Sequence, residues 1–187
     1  MTSPQDASSS SPNPYESVIG ILTHPRTLNG EIKPDSIIRK SYVKFVKSAG
    51  ARAIPLIYNE DPNELRKKLD LVNGVLLTGG RAINHGKDVK TEKEVVVEKY
   101  AETVRSIFEY VKKRNGEGKD YFPLYGICLG FELITKIVSE DDDILENFDA
   151  DDYASNLDFA KEEALKGSIF ERYIISTILF RIRCGGR

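Results

Sequence analysis

Short segments that are apolar throughout, rather than at alternate positions, constrain the fold of this chain most. Residues 18–23 read VIGILT, an unbroken apolar run of strand length. Such a run suits a strand buried on both faces, which is typical of parallel sheets covered by helices. Further strands are predicted at residues 51–58, 75–78 and 122–127. Pro55 cannot donate to a strand ladder, so the second strand is expected at an edge or an irregular position.

A first amphipathic helix is predicted between the first two strands. Its apolar positions recur at helical spacing as far as Ala49, and Gly50 suits the left-handed residue that ends a helix. Asp35 and Ser36 precede the apolar positions and are expected to cap the start of the helix.

Three further helices separate or follow the remaining strands. Asp61 stands before Pro62, which suits a cap followed by a first helical residue. Residues 91–115 carry one long apolar stripe, and residues 129–138 form an amphipathic segment after the fourth strand. This alternation predicts an α/β fold with a doubly wound, mostly parallel sheet flanked by helices, which binds ligands beyond the carboxyl ends of its strands.

Composition excludes several classes of function. Lys and Arg together number 27 and Asp and Glu 29, so the chain has no positive excess for a nucleic acid or an anionic membrane. Two cysteines provide neither a disulfide framework nor a zinc-ligand spacing. Residues 1–17 are rich in Ser and Pro and are expected to form a disordered leader rather than a secretory signal. No run of eighteen apolar residues suggests a membrane span.

An acidic stretch at residues 140–156 is the main candidate for a metal site. It lacks the spacing and the central glycine of a calcium loop, so a solvated loop is the favoured interpretation. A final apolar strip follows at residues 174–182.

The pattern Gly-x-Cys-x-Gly at Gly126, Cys128 and Gly130 carries the predicted chemistry. It is the thiol form of a nucleophile elbow, in which a strained turn from strand to helix exposes the nucleophile. Small residues on either side let the turn close without a side-chain collision. The alternative is that Cys128 is a buried structural thiol, which is the usual role of an unpaired cysteine.

Acyl transfer also needs hydrogen-bond donors for the developing oxyanion. In an elbow, the N–H of the residue after the nucleophile, here Leu129, supplies one donor. Gly79 and Gly80 follow the third strand and are placed to supply the second.

A cysteine nucleophile usually works with a histidine base. The chain has two histidines, His24 and His85, and both precede Cys128. His24 follows the first strand and could reach the same edge of the sheet, although a histidine before a proline is more often a loop residue.

Three segments together resemble the gamma-glutamyl hydrolase family, especially its plant members, within the class I glutamine amidotransferase-like superfamily of flavodoxin-like fold. They read SYVKFVKSAGARAIPLIYNE, VNGVLLTGG and PLYGICLGFELI. The resemblance implies a cysteine-type hydrolase that cleaves folate poly-gamma-glutamates through a thioester and uses no cofactor or metal. Cys128 would be its nucleophile, Glu132 a supporting carboxylate, and Gly79 and Gly80 its oxyanion-side turn. Arg81 is a candidate for the substrate carboxylates because it follows Gly80, but a solvated surface role is the more common one.

The resemblance extends over residues 18–173, and residues 174–187 form a divergent tail. The family places its catalytic histidine downstream, in a Gln-Trp-His-Pro-Glu block that is not found here, which predicts a C-terminally truncated chain of doubtful activity. Two alternatives stay open. One is a non-catalytic gamma-glutamyl-binding or interaction module, as a homodimer or paired with a full-length homologue. The other, a glutaminase domain that passes ammonia to a synthetase, is less supported, because the CLGFE segment at residues 128–132 fits the hydrolases better. Family members are typically vacuolar or secreted; a complete chain without a signal would be cytoplasmic.

Overall fold

The computed structural model describes residues 17–28, 31–80, 92–117 and 121–146, together with two later strands. The chain divides into two compact units, Met1–Leu145 and Glu146–Arg187. The elements of the first unit are β1 (Val18–Leu22), β2 (His24–Leu28), β3 (Glu31–Ile37), α1 (Lys40–Ser48), β4 (Arg52–Leu56), α2 (Pro62–Asp70), β5 (Gly74–Leu77), α3 (Glu92–Gly116), β6 (Leu124–Gly126) and α4 (Leu129–Ser139).

Four strands of the first unit form the predicted parallel sheet. Their order is β4-β1-β5-β6, and every neighbouring pair is parallel. β4 lies at an edge, which confirms the position predicted from Pro55. The α/β fold expected from the sequence is therefore present.

Successive residues of the central strands are buried on opposite faces of the sheet. Leu22 and Leu77 belong to a core cluster that includes Val104 of α3. Their neighbours Ile21 and Leu76 belong to a second cluster with residues of α1. Because side chains alternate between faces along a strand, apolar residues at consecutive positions require cover on both sides. This arrangement explains the uninterrupted apolar runs of β1 and β5.

An antiparallel hairpin, β2–β3, lies between β1 and α1 and was not predicted. It corrects two expectations. Asp35 and Ser36 lie within β3 and do not cap α1, which is preceded by Arg39 and has no side-chain cap. His24 is the first residue of β2 rather than a loop residue. The residues that were predicted to cap the helix thus belong to the second strand of the hairpin.

The remaining helix boundaries follow the predictions closely. The Asp61 side chain accepts a hydrogen bond from Asn63 N at 2.8 Å, and Pro62 is the first helical residue of α2. Gly50 has a φ of 78°, as expected for the residue that ends α1. The long third helix begins and ends within a residue of its predicted bounds.

The side chain of Asn115 joins the end of α3 to the chain before β6. Its amide nitrogen donates to the Phe122 carbonyl oxygen at 3.0 Å, and its Oδ1 accepts from the Phe122 N–H at 2.8 Å. Phe122 is buried in the core. One side chain thus satisfies both polar groups of a backbone segment that leads into the nucleophile strand.

Replacement of Asn115 with alanine is expected to lower the free energy of unfolding by about 1–3 kcal/mol, because both backbone groups lose their partner. Urea denaturation measures the change. The exposed Lys112 of the same helix provides the control, and Lys112→Ala should change stability by less than about 0.5 kcal/mol. Equal losses in the two variants would contradict the bridging role of Asn115.

In the second unit, β7 (Tyr153–Asn156) pairs antiparallel with β8 (Leu179–Ile182). The leader up to residue 16 and the predicted boundary at residues 173–174 lie outside the described residues. Among the helices that are described, none is both long enough and apolar enough to cross a membrane.

Candidate functional site

Cys128 occupies a strained turn between β6 and α4. Its backbone has φ 51° and ψ −116°, a region that residues with a side chain rarely adopt. Holding a non-glycine residue in such a region costs about 1–3 kcal/mol, and this kind of strain clusters at functional sites. The thiol is free and exposed. The alternative interpretation of Cys128 as a buried structural thiol is therefore wrong.

The two flanking glycines allow this turn to close. A Cβ on Gly126 would lie 2.7 Å from Phe131 N, and a Cβ on Gly130 would lie 2.6 Å from the carbonyl oxygen of Leu77. Both obstacles are backbone atoms, which cannot rotate away as a side chain can. The steric reason predicted for the two glycines is confirmed.

The turn after β5 contacts the nucleophile directly. β5 pairs with β6, so Gly79 and Cys128 leave the same edge of the sheet. A Cβ on Gly79 would lie 3.1 Å from Cys128 Cβ, tighter than most real contacts of that kind. The glycine therefore lets the two turns approach closely without displacing a neighbour.

Tyr42 of α1 holds the Gly79 peptide. Its hydroxyl oxygen accepts a hydrogen bond from Gly79 N at 2.9 Å. The same oxygen lies 2.7 Å from the point where a Gly79 Cβ would stand, so it and Cys128 Cβ both lie close to the space that a side chain at position 79 would need. Tyr42 is one of the helically spaced apolar positions from which α1 was predicted, and its contact with Gly79 was not predicted. The available clue was its hydroxyl, which needs a partner when a tyrosine packs against a core.

The N–H groups expected to receive an oxyanion are those of Gly80 and Leu129. The N–H of Gly79 is already bonded to Tyr42. Leu129 is the first residue of α4, and the first N–H groups of a helix have no acceptor within it. Glu132 lies one turn further along, where its backbone N–H donates to the Cys128 carbonyl oxygen at 3.0 Å. Arg81 lies outside the described residues.

The His24 ring lies beside Gly80 in the same turn. Its Nδ1 is 2.7 Å from the carbonyl oxygen of Pro25, and its Nε2 is buried beside Gly80. The contacts of both ring nitrogens are thus with Pro25 and Gly80, which does not favour His24 as a base for Cys128. Burial lowers the pKa of His24, with a smaller lowering from Arg39 and an opposing effect of the Pro25 hydrogen bond. His85 lies outside the described residues.

Within the part of the chain that is described, no three His, Cys, Asp or Glu side chains are grouped so that they could hold a metal ion.

Comparison with known proteins places this arrangement in a family. The peptidase C26 family matches residues 17–139, from the residue before β1 to the end of α4. Gamma-glutamyl hydrolase 1 of Arabidopsis thaliana is 46% identical over 171 residues, which cover 88% of this chain and 45% of that relative. Gamma-glutamyl hydrolase of Glycine max is 47% identical over 163 residues, covering 85% of this chain and 44% of the relative.

A less similar relative has a related name. Gamma-glutamyl hydrolase B of Dictyostelium discoideum is 42% identical over 144 residues, covering 76% of this chain and 38% of the relative. The chain thus spans less than half the length of the curated relatives it matches. The family match extends over every element that builds the elbow and the glycine turn, and it shows that the chain belongs to the peptidase C26 family, as the resemblance to gamma-glutamyl hydrolases in the class I glutamine amidotransferase-like superfamily had indicated.

Proposed function

We propose that this chain carries the nucleophile and the oxyanion donors of a gamma-glutamyl hydrolase site that acts on folate poly-gamma-glutamates. The observation that carries the proposal is the strained, exposed Cys128 in contact with the Gly79–Gly80 turn. The names of the relatives support the gamma-glutamyl linkage, since each is called a gamma-glutamyl hydrolase, and the folate part of the substrate comes from the family resemblance of the sequence.

The proposed reaction begins with attack of the Cys128 thiolate on the carbonyl carbon of a gamma-linked amide. The electron pair of the carbonyl moves to its oxygen, which accepts hydrogen bonds from the N–H groups of Leu129 and Gly80. The C–N bond then breaks, the nitrogen takes up a proton and leaves as an amine, and a thioester stays on Cys128. Water attacks the thioester, which restores the thiol and releases the gamma-carboxylate.

This scheme needs a group that accepts the thiol proton and returns one to the amine. General acid–base help of this kind contributes roughly 10²–10⁴-fold to a rate. His24 does not provide it, because its two nitrogens are directed toward Pro25 and Gly80. The sequence contains no histidine after His85. We therefore expect slow hydrolysis by these 187 residues alone.

The orientation of His24 also favours a second candidate function. A chain whose described residues place no histidine base beside the nucleophile turn would serve as a gamma-glutamyl-binding or interaction module, either as a homodimer or paired with a full-length homologue. Affinity capture from its own source tests this candidate. Recovery of a gamma-glutamyl hydrolase partner or of a second copy would support it, and recovery of neither would exclude it.

Release of glutamate tests the leading proposal. The chain is incubated with folate pentaglutamate and with an alpha-linked glutamate peptide, and free glutamate is measured over time for the parent and for Cys128→Ala. Release from the gamma-linked substrate by the parent alone is the expected result. Equal rates for parent and variant, or equal rates on the two linkages, would exclude the proposal.

Replacement of Tyr42 with phenylalanine is expected to lower kcat about tenfold to a hundredfold, because the Gly79 N–H loses its acceptor and the adjoining oxyanion turn loosens. Steady-state kinetics measure the change. Tyr121, which is 86% exposed, provides the matched control as Tyr121→Phe. An unchanged kcat in Tyr42→Phe would show that the turn needs no support from α1.

A further inference from the structure

The two nitrogens of the His24 ring are chemically distinct. Nδ1 lies 2.7 Å from the Pro25 carbonyl oxygen, and a carbonyl oxygen can only accept a hydrogen bond. Nδ1 therefore carries the hydrogen. In the uncharged ring this leaves Nε2 as a bare acceptor.

The Nε2 edge of this ring occupies the space beside Gly80 where a side chain would stand. A Cβ on Gly80 would collide with Nε2 first, and would lie 2.6 Å from Cδ2 and 2.9 Å from Cε1. Nε2 is buried and has no hydrogen-bond partner among the described residues. The ring edge and the glycine backbone thus fit against each other directly.

Stability alone does not account for a polar ring in this place. The His24 ring packs against the Tyr100 ring, with centroids 5.1 Å apart, and its Nε2 is buried without a hydrogen-bond partner among the described residues. An unsatisfied buried polar group costs free energy that a phenyl ring of similar shape would not. The His24 ring lies beside Gly80, in the turn whose other glycine approaches Cys128.

We propose that His24, as the uncharged Nδ1–H tautomer, is a positioning residue that holds Gly80 in place against the nucleophile turn. The inference rests on the proposed function in so far as the Gly80 N–H is an oxyanion donor. Protonation of Nε2 would add a hydrogen to the edge that already contacts Gly80, where none of the described residues provides an acceptor. Either the ring or the Gly80 turn must then move.

The surroundings of His24 together oppose its protonation. Burial lowers the pKa of His24 most strongly and Arg39, which precedes α1, lowers it further, whereas the Pro25 hydrogen bond raises it. Tyr100 of α3 stays uncharged because burial and Tyr42 of α1 raise its pKa by more than its hydrogen bond with Thr78 lowers it. On the hairpin, the Asp35 carboxylate is bound to Arg26 at 2.6 Å. The uncharged ring is therefore the form present at neutral pH, and acid converts it.

Two thiol reagents distinguish a change in the position of the Gly79–Gly80 turn from a change in the reactivity of the Cys128 thiolate. A glutamine-like diazoketone, 6-diazo-5-oxo-norleucine, places its ketone oxygen where the oxyanion forms. The Cys128 sulfur bonds to the diazo-bearing carbon, which takes up one proton, and nitrogen leaves as N₂. Iodoacetamide alkylates the same thiolate with loss of iodide and needs no oxyanion turn. The ratio of the diazoketone rate to the iodoacetamide rate, measured at the Cys128 peptide by mass spectrometry, therefore reports whether the Gly79–Gly80 turn is in place.

In the parent, we expect this ratio to be constant near neutral pH. Below the pKa of a single group, it should fall by about tenfold per pH unit. NMR titration of His24 should give the same midpoint. His24→Gln and His24→Phe should both lack the acid decrease, whereas His85→Gln, the control at the second histidine, should keep it. Persistence of the decrease in a His24 variant, or an NMR midpoint that differs from it, would overturn the inference.

Hydrogen exchange of the Gly79–Gly80 segment tests the same inference without a ligand. Protection of its amides, corrected for the intrinsic pH dependence, should fall in acid in the parent and stay level in His24→Gln. If that pattern holds while the diazoketone does not label the parent, the proposed function fails and the positioning role stands. If the diazoketone labels but protection does not depend on His24, the positioning role fails.

Discussion

Replacement of Cys128 with glycine is expected to make the fold more stable than replacement with alanine, while both variants lose hydrolysis. The residue has φ 51° and ψ −116°, which glycine adopts freely and alanine does not. Relief of strain of about 1–3 kcal/mol, less the extra entropy of glycine in the unfolded chain, leaves a difference of about 1–2 kcal/mol in favour of glycine. Urea denaturation of the two variants measures it.

The control compares the same pair of residues at an ordinary helical position. At the exposed Lys112 of α3, glycine should be less stable than alanine by about 1 kcal/mol. The sign of the difference should therefore reverse between the two sites. If glycine and alanine rank the same way at both sites, the turn at Cys128 holds no strain.

Replacement of Gly130 with alanine is expected to cause the largest loss of stability, about 3 kcal/mol or more. The new Cβ would lie 2.6 Å from the Leu77 carbonyl oxygen, 2.7 Å from Leu77 Cβ and 2.9 Å from the Leu77 carbonyl carbon. Relief of these contacts requires α4 to move away from β5. Chemical denaturation measures the loss, and slower diazoketone labelling of Cys128 should accompany it.

Gly116 provides the matched control for this substitution. It ends α3, and a Cβ there would have no neighbour within 4 Å. Gly116→Ala should therefore leave the fold unchanged or stabilise it by about 0.5–1 kcal/mol. Equal effects of the two alanines would contradict the close packing of α4 against β5.

The sheet was predictable because its strands are buried on both faces, so that each one appears as an apolar run. The β2–β3 hairpin was not, because Pro25 and Pro34 interrupt it and its charged residues do not resemble a core strand. One sequence clue was present. Asn29-Gly30 stands between the two strands and is a strong short-range hairpin pattern. A hairpin predicted from this pattern would have placed Asp35 and Ser36 in or near a strand, and they would not have been expected to cap a helix.

The nucleophile turn was predictable because it is local, with both glycines within two residues of Cys128. The residues that support the Gly79–Gly80 turn could not be predicted, because they come from distant parts of the chain. Tyr42 reaches Gly79 across 37 positions, and His24 reaches Gly80 from the hairpin that was missed. No periodicity or spacing in a single sequence pairs such residues; the tertiary fold does.

The most direct test of the nucleophile proposal is capture of the acyl-enzyme. The chain is mixed with a gamma-glutamyl anilide, which has a good leaving group, quenched in acid and analysed by peptide mass spectrometry. We predict a gamma-glutamyl mass increase on the Cys128 peptide, lost on treatment with hydroxylamine and lacking in Cys128→Ala. Release of the aniline at an undiminished rate by Cys128→Ala, or acylation of another residue in the parent, would contradict the assignment of Cys128 as nucleophile.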